Sequence, residues 1–222
     1  KAAARIVPVF PFGFRVEGVG ELHGASHRVI GDRIEASTLM VAVAITQGEA
    51  RIAGVDARHI WSIIAKLRET GAAVEVEGDD AVIVKGVAGY RSTDVRTLTF
   101  PGFPTDAQPQ MMAYLTLAKG NSVIVESIFE NRFGAILELE RMGARIKVTE
   151  ETAIIEGVDA LNSATVQAKD LRGGAALILA GLAAAGSTTV KSIHHVDRGY
   201  EALEAKLAQL GAHVTRVNQM EA

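Results

Sequence analysis

The chain has 222 residues, of which 48% are hydrophobic, and a formal net charge of −3, so it is long enough to bury a substantial core. Because its charges are balanced and spread along the chain, neither nucleic acid nor an anionic membrane is an expected partner. Without Cys, these residues hold no disulfide, thiolate metal ligand or cysteine nucleophile, and the longest low-polarity run, Ala175 to Ala185, is too short to span a membrane. We therefore expect a soluble, cytoplasmic protein.

Three successive stretches of the chain repeat one pattern, in which a uniformly apolar helix closed by Gly is followed by a strand. An amphipathic helix then ends in a Gly-Ala pair, where the left-handed position after the last turn favours Gly. An alternating strand follows each pair. The apolar helices are predicted at 39–45, 111–118 and 175–185, the strands after them at 50–52, 122–125 and 187–190, and the strands after the Gly-Ala pairs at 74–76, 146–148 and 214–217.

In the first two stretches a polar turn leads into one further strand, at 81–84 and 153–155. Each repeat therefore consists of a helix, a strand, a second helix and two strands. No single repeat can bury its apolar helix alone, so we expect a pseudo-threefold α/β (α+β) domain with the three apolar helices packed at its centre.

The N-terminal segment resembles only the end of a repeat. Residues 4–18 match residues 144–157, which form the predicted closing hairpin of the second repeat, although the Pro8 to Gly13 turn is unlike its counterpart. The sequence therefore predicts that residues 1–30 are closing strands of a preceding, truncated lobe, that residues 31–222 form a three-repeat lobe, and that the chain is a fragment of a longer protein.

The segment Phe103 to Gln110 leads into the second apolar helix. Pro104 pre-sets the backbone, and Thr105 or Asp106 is suited to cap the helix N-terminus, which is the structural interpretation of Asp106. A carboxylate at such a positive helix end is also suited to accept a substrate hydroxyl, which is the functional interpretation.

Equivalent positions of a threefold domain meet at one end, and here these positions are rich in Arg and carboxylates. Such groups beside helix N-termini favour an anionic ligand, since the Arg fork donates two parallel hydrogen bonds. The alternative is structural ion pairing, for example of Asp170 with Arg172. The helix starts carry Asp32, Arg33, Thr105, Asp106, Asp170 and Arg172, and the loops before the outer helices carry Glu130, Arg132, Asp197 and Arg198.

Six short motifs occur in order along the chain: Asp32-Arg-Ile-Glu-Ala36, Phe103-Pro-Thr-Asp-Ala-Gln108, Glu130-Asn-Arg-Phe133, Met142-Gly-Ala144, Asp170-Leu-Arg172 and His195-Val-Asp-Arg-Gly-Tyr-Glu201. With them, residues 15 to 217 resemble the C-terminal lobe of the UDP-N-acetylglucosamine 1-carboxyvinyltransferase family of enolpyruvyl transferases. The family fold implied is two lobes, each an inside-out α/β barrel of three repeats, with the active site between them. Two alternatives are a 5-enolpyruvylshikimate-3-phosphate synthase-like transferase and a non-catalytic scaffold or binding domain of the same fold.

The resemblance implies transfer of enolpyruvate from phosphoenolpyruvate to the 3′-hydroxyl of UDP-N-acetylglucosamine, with no metal and no organic cofactor. It implies that Asp106 is the general base, that Asp170 is a supporting carboxylate, and that Arg132, Arg172 and Arg198 act on phosphoenolpyruvate and the developing charge. The family's acid lies on a loop of the other lobe, which would be a necessary partner, so this chain is predicted to be inactive alone. The implied substrate-binding residues are Thr105, Asp106, Ile128, Phe129, Glu130, Arg132, Arg172 and Arg198.

Overall fold

The computed structural model describes residues 3–11 and 13–217, and the chain divides into two compact units, Lys1–Ile30 and Gly31–Ala222. In the first unit, strands β1 (Arg5–Val9) and β2 (Gly13–Glu17) pair as an antiparallel hairpin with Arg5 opposite Glu17. The predicted N-terminal hairpin is therefore present, and Phe12, in its turn, lies outside the described residues. The division at residue 30 coincides with the predicted domain boundary, while the assignment of the two units to two lobes remains a proposal.

The first repeat of the second unit contains every predicted element. Helix α1 (Arg33–Ile45) is followed by strand β3 (Glu49–Ala53), helix α2 (Trp61–Thr70) and strands β4 (Ala73–Glu77) and β5 (Ala81–Lys85). The three strands form an antiparallel sheet in the order β3-β5-β4. As predicted from the Gly-Ala pair, Gly71 has a φ of +106° in the left-handed region after the last turn of α2.

The second repeat has the same order with one strand added in front. A short strand β6 (Val95–Arg96) precedes helix α3 (Gln108–Leu115), which leads to β7 (Asn121–Val125), α4 (Ile136–Arg141), β8 (Arg145–Thr149) and β9 (Thr152–Glu156). The sheet order is β6-β7-β9-β8, and β6 is parallel to β7, so α3 is the crossover of a βαβ unit. Strand β6 has only two residues, too few to show a periodic pattern, so the sequence did not predict it.

The third repeat departs from the prediction at its end. Strand β10 (Thr165–Gln167) precedes helix α5 (Leu171–Ala183), and strand β11 (Thr189–Lys191), helix α6 (His194–Asp197) and helix α7 (Leu203–Gln209) follow. The strand predicted at Val214–Val217 is wrong, because residues 212–217 form no regular structure. A strand needs a hydrogen-bonding neighbour, and among the described residues no segment pairs with 212–217.

The three apolar helices pack against one another, as the repeat pattern predicted. All eight residues of α3 are buried, and most residues of α1 and α5 are buried as well. Helices that are buried on every side must belong to the interior, since no polar face is left for solvent. The N-terminal ends of α1, α3 and α5 carry the residues that the sequence selected as candidate site residues.

Candidate active site

The inner helices begin in two different ways. Asp32 caps α1 by accepting from the backbone N–H groups of Ile34 (2.7 Å) and Glu35 (3.3 Å). Asp170 caps α5 in the same manner, accepting at one oxygen from the N–H groups of Arg172 and Gly173, both at 2.9 Å. These aspartates therefore satisfy backbone donors that would otherwise be orphaned.

Asp106 does not cap a helix, so the capping interpretation of this residue is wrong. It lies in a 3-10 turn, Thr105–Ala107, whose N-cap is Pro104 and which has no side-chain cap, and neither does α3. Since Pro109 supplies no N–H, one of the donors that a cap would satisfy is missing. The Asp106 carboxylate is consequently free to bind other groups.

Two arginines from different segments hold the Asp106 carboxylate. Arg132 Nη2 donates to Oδ1 at 3.0 Å, and Arg172 Nη2 lies 3.3 Å from Oδ2. The arginine side chains are largely buried, with 11% and 16% exposed, whereas 40% of the Asp106 side chain is exposed. With two cations and one anion the trio has a net positive charge, which favours an anionic ligand beside an accessible carboxylate.

Arg132 is fixed a second time by Thr105, the neighbour of Asp106. Its Nε donates to Thr105 Oγ1 at 3.1 Å, so the guanidinium contacts two adjacent residues of the same turn. Its Cζ also lies 4.2 Å from the centre of the Phe129 ring, within the range of a cation–π interaction. The predicted substrate-binding residues Thr105, Phe129 and Arg132 are therefore neighbours, although 51% of Phe129 is exposed.

Glu126, which the sequence analysis missed, joins the two segments that carry these residues. Only 3% of it is exposed; Oε1 accepts from the N–H groups of Ile128 and Phe129, each at 3.0 Å, and from Thr97 Oγ1 at 2.8 Å. Its Oε2 accepts from Thr105 Oγ1 at 3.0 Å. The signal that could have identified it is its position, because it is a charged residue directly after strand β7.

The remaining predicted residues are placed less centrally. Ile128 and Glu130 are exposed, and the backbone N–H of Ile128 is engaged by Glu126. Asp170 is a cap, and the predicted ion pair between Asp170 and Arg172 is not formed, because the Arg172 guanidinium pairs with Asp106 instead. The second oxygen of Asp170 faces Gly173, where an added Cβ would lie 2.9 Å from it.

Arg198 is not brought into the Asp106 cluster. It is exposed just after α6, and within residues 3–11 and 13–217 it has no side-chain hydrogen bond or ion pair. The adjacent Asp197 accepts from both terminal nitrogens of Arg216, at 2.6 and 3.0 Å, and this pairing lowers the pKa of the Asp197 carboxyl. Arg198 thus has no competing carboxylate from its own motif.

Clusters of metal-ligating side chains and helices of membrane-spanning length are both absent from the described part of the chain. No three of its His, Asp or Glu side chains group as metal ligands would. None of its helices combines the length and apolarity that crossing a bilayer requires.

Comparisons with known proteins agree with the motifs. The family model for EPSP synthase (3-phosphoshikimate 1-carboxyvinyltransferase) matches residues 11–207. The UDP-N-acetylglucosamine 1-carboxyvinyltransferase 1 of Caldanaerobacter subterraneus subsp. tengcongensis is 55% identical over 91% of this chain and 48% of its own length. The corresponding enzyme of Finegoldia magna is 50% identical, again over 91% of this chain and 48% of its own length, so the chain spans about half the length of these curated relatives.

Solved structures confirm the predicted enolpyruvyl transferase fold. The enolpyruvyl transferase NikO from Streptomyces tendae matches 95% of this chain and 51% of its own, with a TM-score of 0.82 and 30% identity. EPSP synthase from Acinetobacter baumannii matches 98% of this chain and 53% of its own, with a TM-score of 0.75, and at 20% identity it is similar in fold alone. Since the family model covers most of its residues, the chain belongs to the EPSP synthase (3-phosphoshikimate 1-carboxyvinyltransferase) family.

Proposed function

We propose that this chain supplies one half of the active site of an enzyme that transfers enolpyruvate from phosphoenolpyruvate to the 3′-hydroxyl of UDP-N-acetylglucosamine. The observation that carries the proposal is the Asp106 carboxylate, which is released from capping, held by Arg132 and Arg172, and left 40% exposed. It is supported by the names of the relatives at 50–55% identity. The product would be used for peptidoglycan synthesis in the cytoplasm, on which cell shape and cell division would depend.

The reaction requires groups of both kinds that meet at Asp106. The sugar 3′-hydroxyl attacks C2 of phosphoenolpyruvate and gives up its proton to a base, while C3 gains a proton from an acid. The tetrahedral intermediate then loses phosphate and one proton from C3, which restores the double bond. Asp106 is proposed as the base that accepts the hydroxyl proton, and Arg172 and Arg132 as the cations that stabilise the phosphate and carboxylate charges.

The greater length of the relatives supports a second half of the site outside this chain. The acid that protonates C3 is proposed to come from a second lobe of the same protein, together with further phosphate contacts. Arg198 is proposed to reach phosphoenolpyruvate from the exposed loop after α6, and Ile128 and Phe129 to border the nucleotide sugar through the loop that Glu126 holds. The chain alone is expected to bind weakly and not to turn over.

The two alternatives are less well supported. For a shikimate-phosphate substrate, the EPSP synthase structure at 20% identity indicates only the fold. For a scaffold without chemistry, a capping aspartate at position 106 would serve as well as those at positions 32 and 170. Pairing with two largely buried arginines contributes nothing to helix capping, whereas it fixes the two carboxylate oxygens of Asp106, which supports a role toward a substrate hydroxyl.

Titration calorimetry with UDP-N-acetylglucosamine tests the binding half of the proposal on this chain. Asp106→Ala is expected to weaken binding about 10- to 100-fold, the loss of one charge-assisted hydrogen bond. Asp94→Asn is the control and should bind as the unchanged chain does, because among the described residues the Asp94 carboxylate accepts a single hydrogen bond, from the Val123 N–H at 2.8 Å. Equal affinities for the two variants would contradict the assignment of Asp106.

Joining the chain to its second lobe tests the chemistry. Phosphate release from phosphoenolpyruvate should then require UDP-N-acetylglucosamine and fall about 10²- to 10⁴-fold in Asp106→Ala, the usual contribution of a general base. A two-lobe protein that binds the nucleotide sugar and releases no phosphate would support the scaffold. Activity with shikimate 3-phosphate in place of the nucleotide sugar would support the second transferase.

A further inference from the structure

A buried polar cluster lies where the three inner helices of the second unit begin. It consists of Thr38 on α1, Gln110 on α3 and Tyr200 shortly after α6, and none of the three side chains is more than 2% exposed. Thr38 Oγ1 lies 2.8 Å from the Tyr200 hydroxyl, and the Gln110 side-chain amide donates to Thr38 Oγ1 at 3.0 Å and to the Tyr200 hydroxyl at 3.1 Å. The cluster thus ties together residues that are far apart in the sequence.

The proton positions in this cluster are determined by its hydrogen bonds. Thr38 Oγ1 donates to the carbonyl of Ile34 at 2.9 Å, one turn earlier on α1. Its single proton is then used, so the Tyr200 hydroxyl must donate to Thr38 and accept from Gln110. Both hydroxyls of the cluster, those of Thr38 and Tyr200, therefore have hydrogen-bond partners in a single arrangement, which holds the phenol of Tyr200 at a fixed position.

The ring of Tyr200 faces Arg172, the arginine that holds Asp106. Arg172 Cζ lies 6.0 Å from the centre of the Tyr200 ring, at the distance where a guanidinium still gains from an aromatic face. We propose that Thr38, Gln110 and Tyr200 are positioning residues, which hold Arg172 in place against the Asp106 carboxylate.

Close packing of two elements supports this proposal independently. An added Cβ on Gly199 would lie 2.5 Å from Leu171 Cδ2, and one on Gly174 would lie 2.6 Å from Val196 Cγ2. The segment from Val196 to Tyr200 is therefore seated directly on the first turn of α5, the turn that carries Arg172. Because the two elements are in close contact, we expect a displacement of Tyr200 to be transmitted to that turn.

A second Thr-Tyr pair in the same unit provides a matched control. Tyr114 Oη lies 2.8 Å from Thr70 Oγ1, and Tyr114 is 0% exposed, but its ring stacks on Tyr90 at 4.1 Å rather than facing an arginine. Tyr114→Phe removes a buried hydroxyl with one hydrogen bond, and Tyr200→Phe removes a buried hydroxyl with two, to Thr38 and Gln110. Only the latter is expected to affect Arg172.

The first experiment follows the Arg172 side chain by nitrogen relaxation of its Nε–Hε group in this chain. In Tyr200→Phe and in Thr38→Val the order parameter of that group should fall, whereas Thr38→Ser, which keeps the hydroxyl, and Tyr114→Phe should leave it unchanged. An Arg172 signal equally ordered in all four variants would overturn the proposal. If Tyr200→Phe does not fold, the comparison of Thr38→Val with Thr38→Ser decides the question.

The second experiment connects the network to the reaction and rests on the proposed function. In the two-lobe protein, Tyr200→Phe frees the ring from its hydrogen bonds and should raise KM for phosphoenolpyruvate about 2- to 5-fold, as expected if the cation–π contact with Arg172 is weakened, with KM for the nucleotide sugar unchanged. Tyr114→Phe should change neither. If the order of Arg172 depends on the network but the two-lobe protein has no transferase activity, the proposed function is contradicted and the positioning role is not. If the protein is active and Tyr200→Phe and Tyr114→Phe have identical kinetics, the positioning role is refuted.

Discussion

Replacing Glu126 by glutamine tests whether one buried carboxylate holds the two segments of the candidate site together. The carboxylate accepts four hydrogen bonds, from Thr97, Thr105, Ile128 and Phe129, at distances of 2.8 to 3.0 Å. Thr105 belongs to the turn with Asp106. Ile128 and Phe129 belong to the loop that leads to Arg132. A change at position 126 should therefore loosen both segments at once.

The magnitude follows from the number and kind of these bonds. Glutamine fits the same space and can keep its oxygen against the three donors of Oε1, while its amide N–H replaces Oε2 and turns toward Thr105. A hydrogen bond to a charged group is worth about 1.5–3 kcal/mol, and roughly half of that is lost when the acceptor is neutral. Three such bonds would lose about 2–4 kcal/mol, partly offset because a neutral amide is easier to bury, so we expect about 2 kcal/mol.

Urea unfolding followed by circular dichroism measures this loss. For a chain of this size, 2 kcal/mol corresponds to a fall in Tm of about 4–8 °C. Glu138→Gln is the matched control, because Glu138 is also buried, at 6% exposed, but within the described part of the chain it accepts only two longer bonds, from Arg141 at 3.2 Å and the Gln167 N–H at 3.3 Å. Its loss should stay below about 1 kcal/mol, since the Arg141 side chain is 64% exposed and screened by solvent.

The result that would refute this reasoning is a small or equal effect. If the free energy of unfolding of Glu126→Gln is within about 0.5 kcal/mol of that of the unchanged chain, the charge of the carboxylate does not strengthen its four bonds. If Glu126→Gln and Glu138→Gln lose the same free energy of unfolding, the number of hydrogen-bond donors does not determine the loss. Weakened binding of UDP-N-acetylglucosamine by Glu126→Gln without any loss of stability would indicate that Glu126 acts on ligand binding rather than on the stability of the two segments.

Two further predictions concern titrating groups. Because hydrogen bonds from Arg216 lower the pKa of both Asp197 and Glu204, their stabilisation is full above the unfolded values of about 4 and is lost as the pH falls through the depressed folded values. Arg216→Ala should therefore lower the free energy of unfolding by about 0.5–1 kcal/mol at pH 7, and the difference should vanish in acid. Burial raises the pKa of Tyr114 to about 12 and that of Tyr90 further, so the stabilisation by these neutral phenols is full below about pH 10 and is lost as the pH rises through the folded values. Absorbance at 295 nm should show both phenols ionising well above pH 10 or together with unfolding, and ionisation near pH 10 in the folded chain would contradict their burial.

The repeat architecture could be predicted because its signals are local and occur more than once. The Gly-Ala pairs predicted the left-handed positions at Gly71, Gly143 and Gly211, which have φ values of +106°, +94° and +91°. Uniformly apolar runs predicted the three inner helices. The strand predicted at 214–217 failed because alternation describes a strand's faces and not its partner, which the first two repeats supply from their own closing hairpin.

The site residues were predicted in part. The motifs selected Thr105, Asp106, Arg132 and Arg172, which the structure brings together, and Arg198, which it leaves exposed and apart from them. No spacing in the sequence shows that a guanidinium from the loop before α4 reaches the turn before α3. Such a contact depends on the packing of whole elements, whose positions are set by the core and not by the few residues at the site.

The comparison of equivalent positions identifies the site more strongly than any single motif does. Asp32 and Asp170 occupy helix starts in the first and third repeats, and both use their carboxylates to cap the helix. In the second repeat the same task is left undone, and the aspartate instead faces two arginines that neither of the other aspartates pairs with. A helix start that gives up its cap loses about 1 kcal/mol of stability, so the exception is expected to persist only where the carboxylate has another role. This physical difference between repeats of one pattern supports Asp106, rather than Asp32 or Asp170, as the reacting carboxylate.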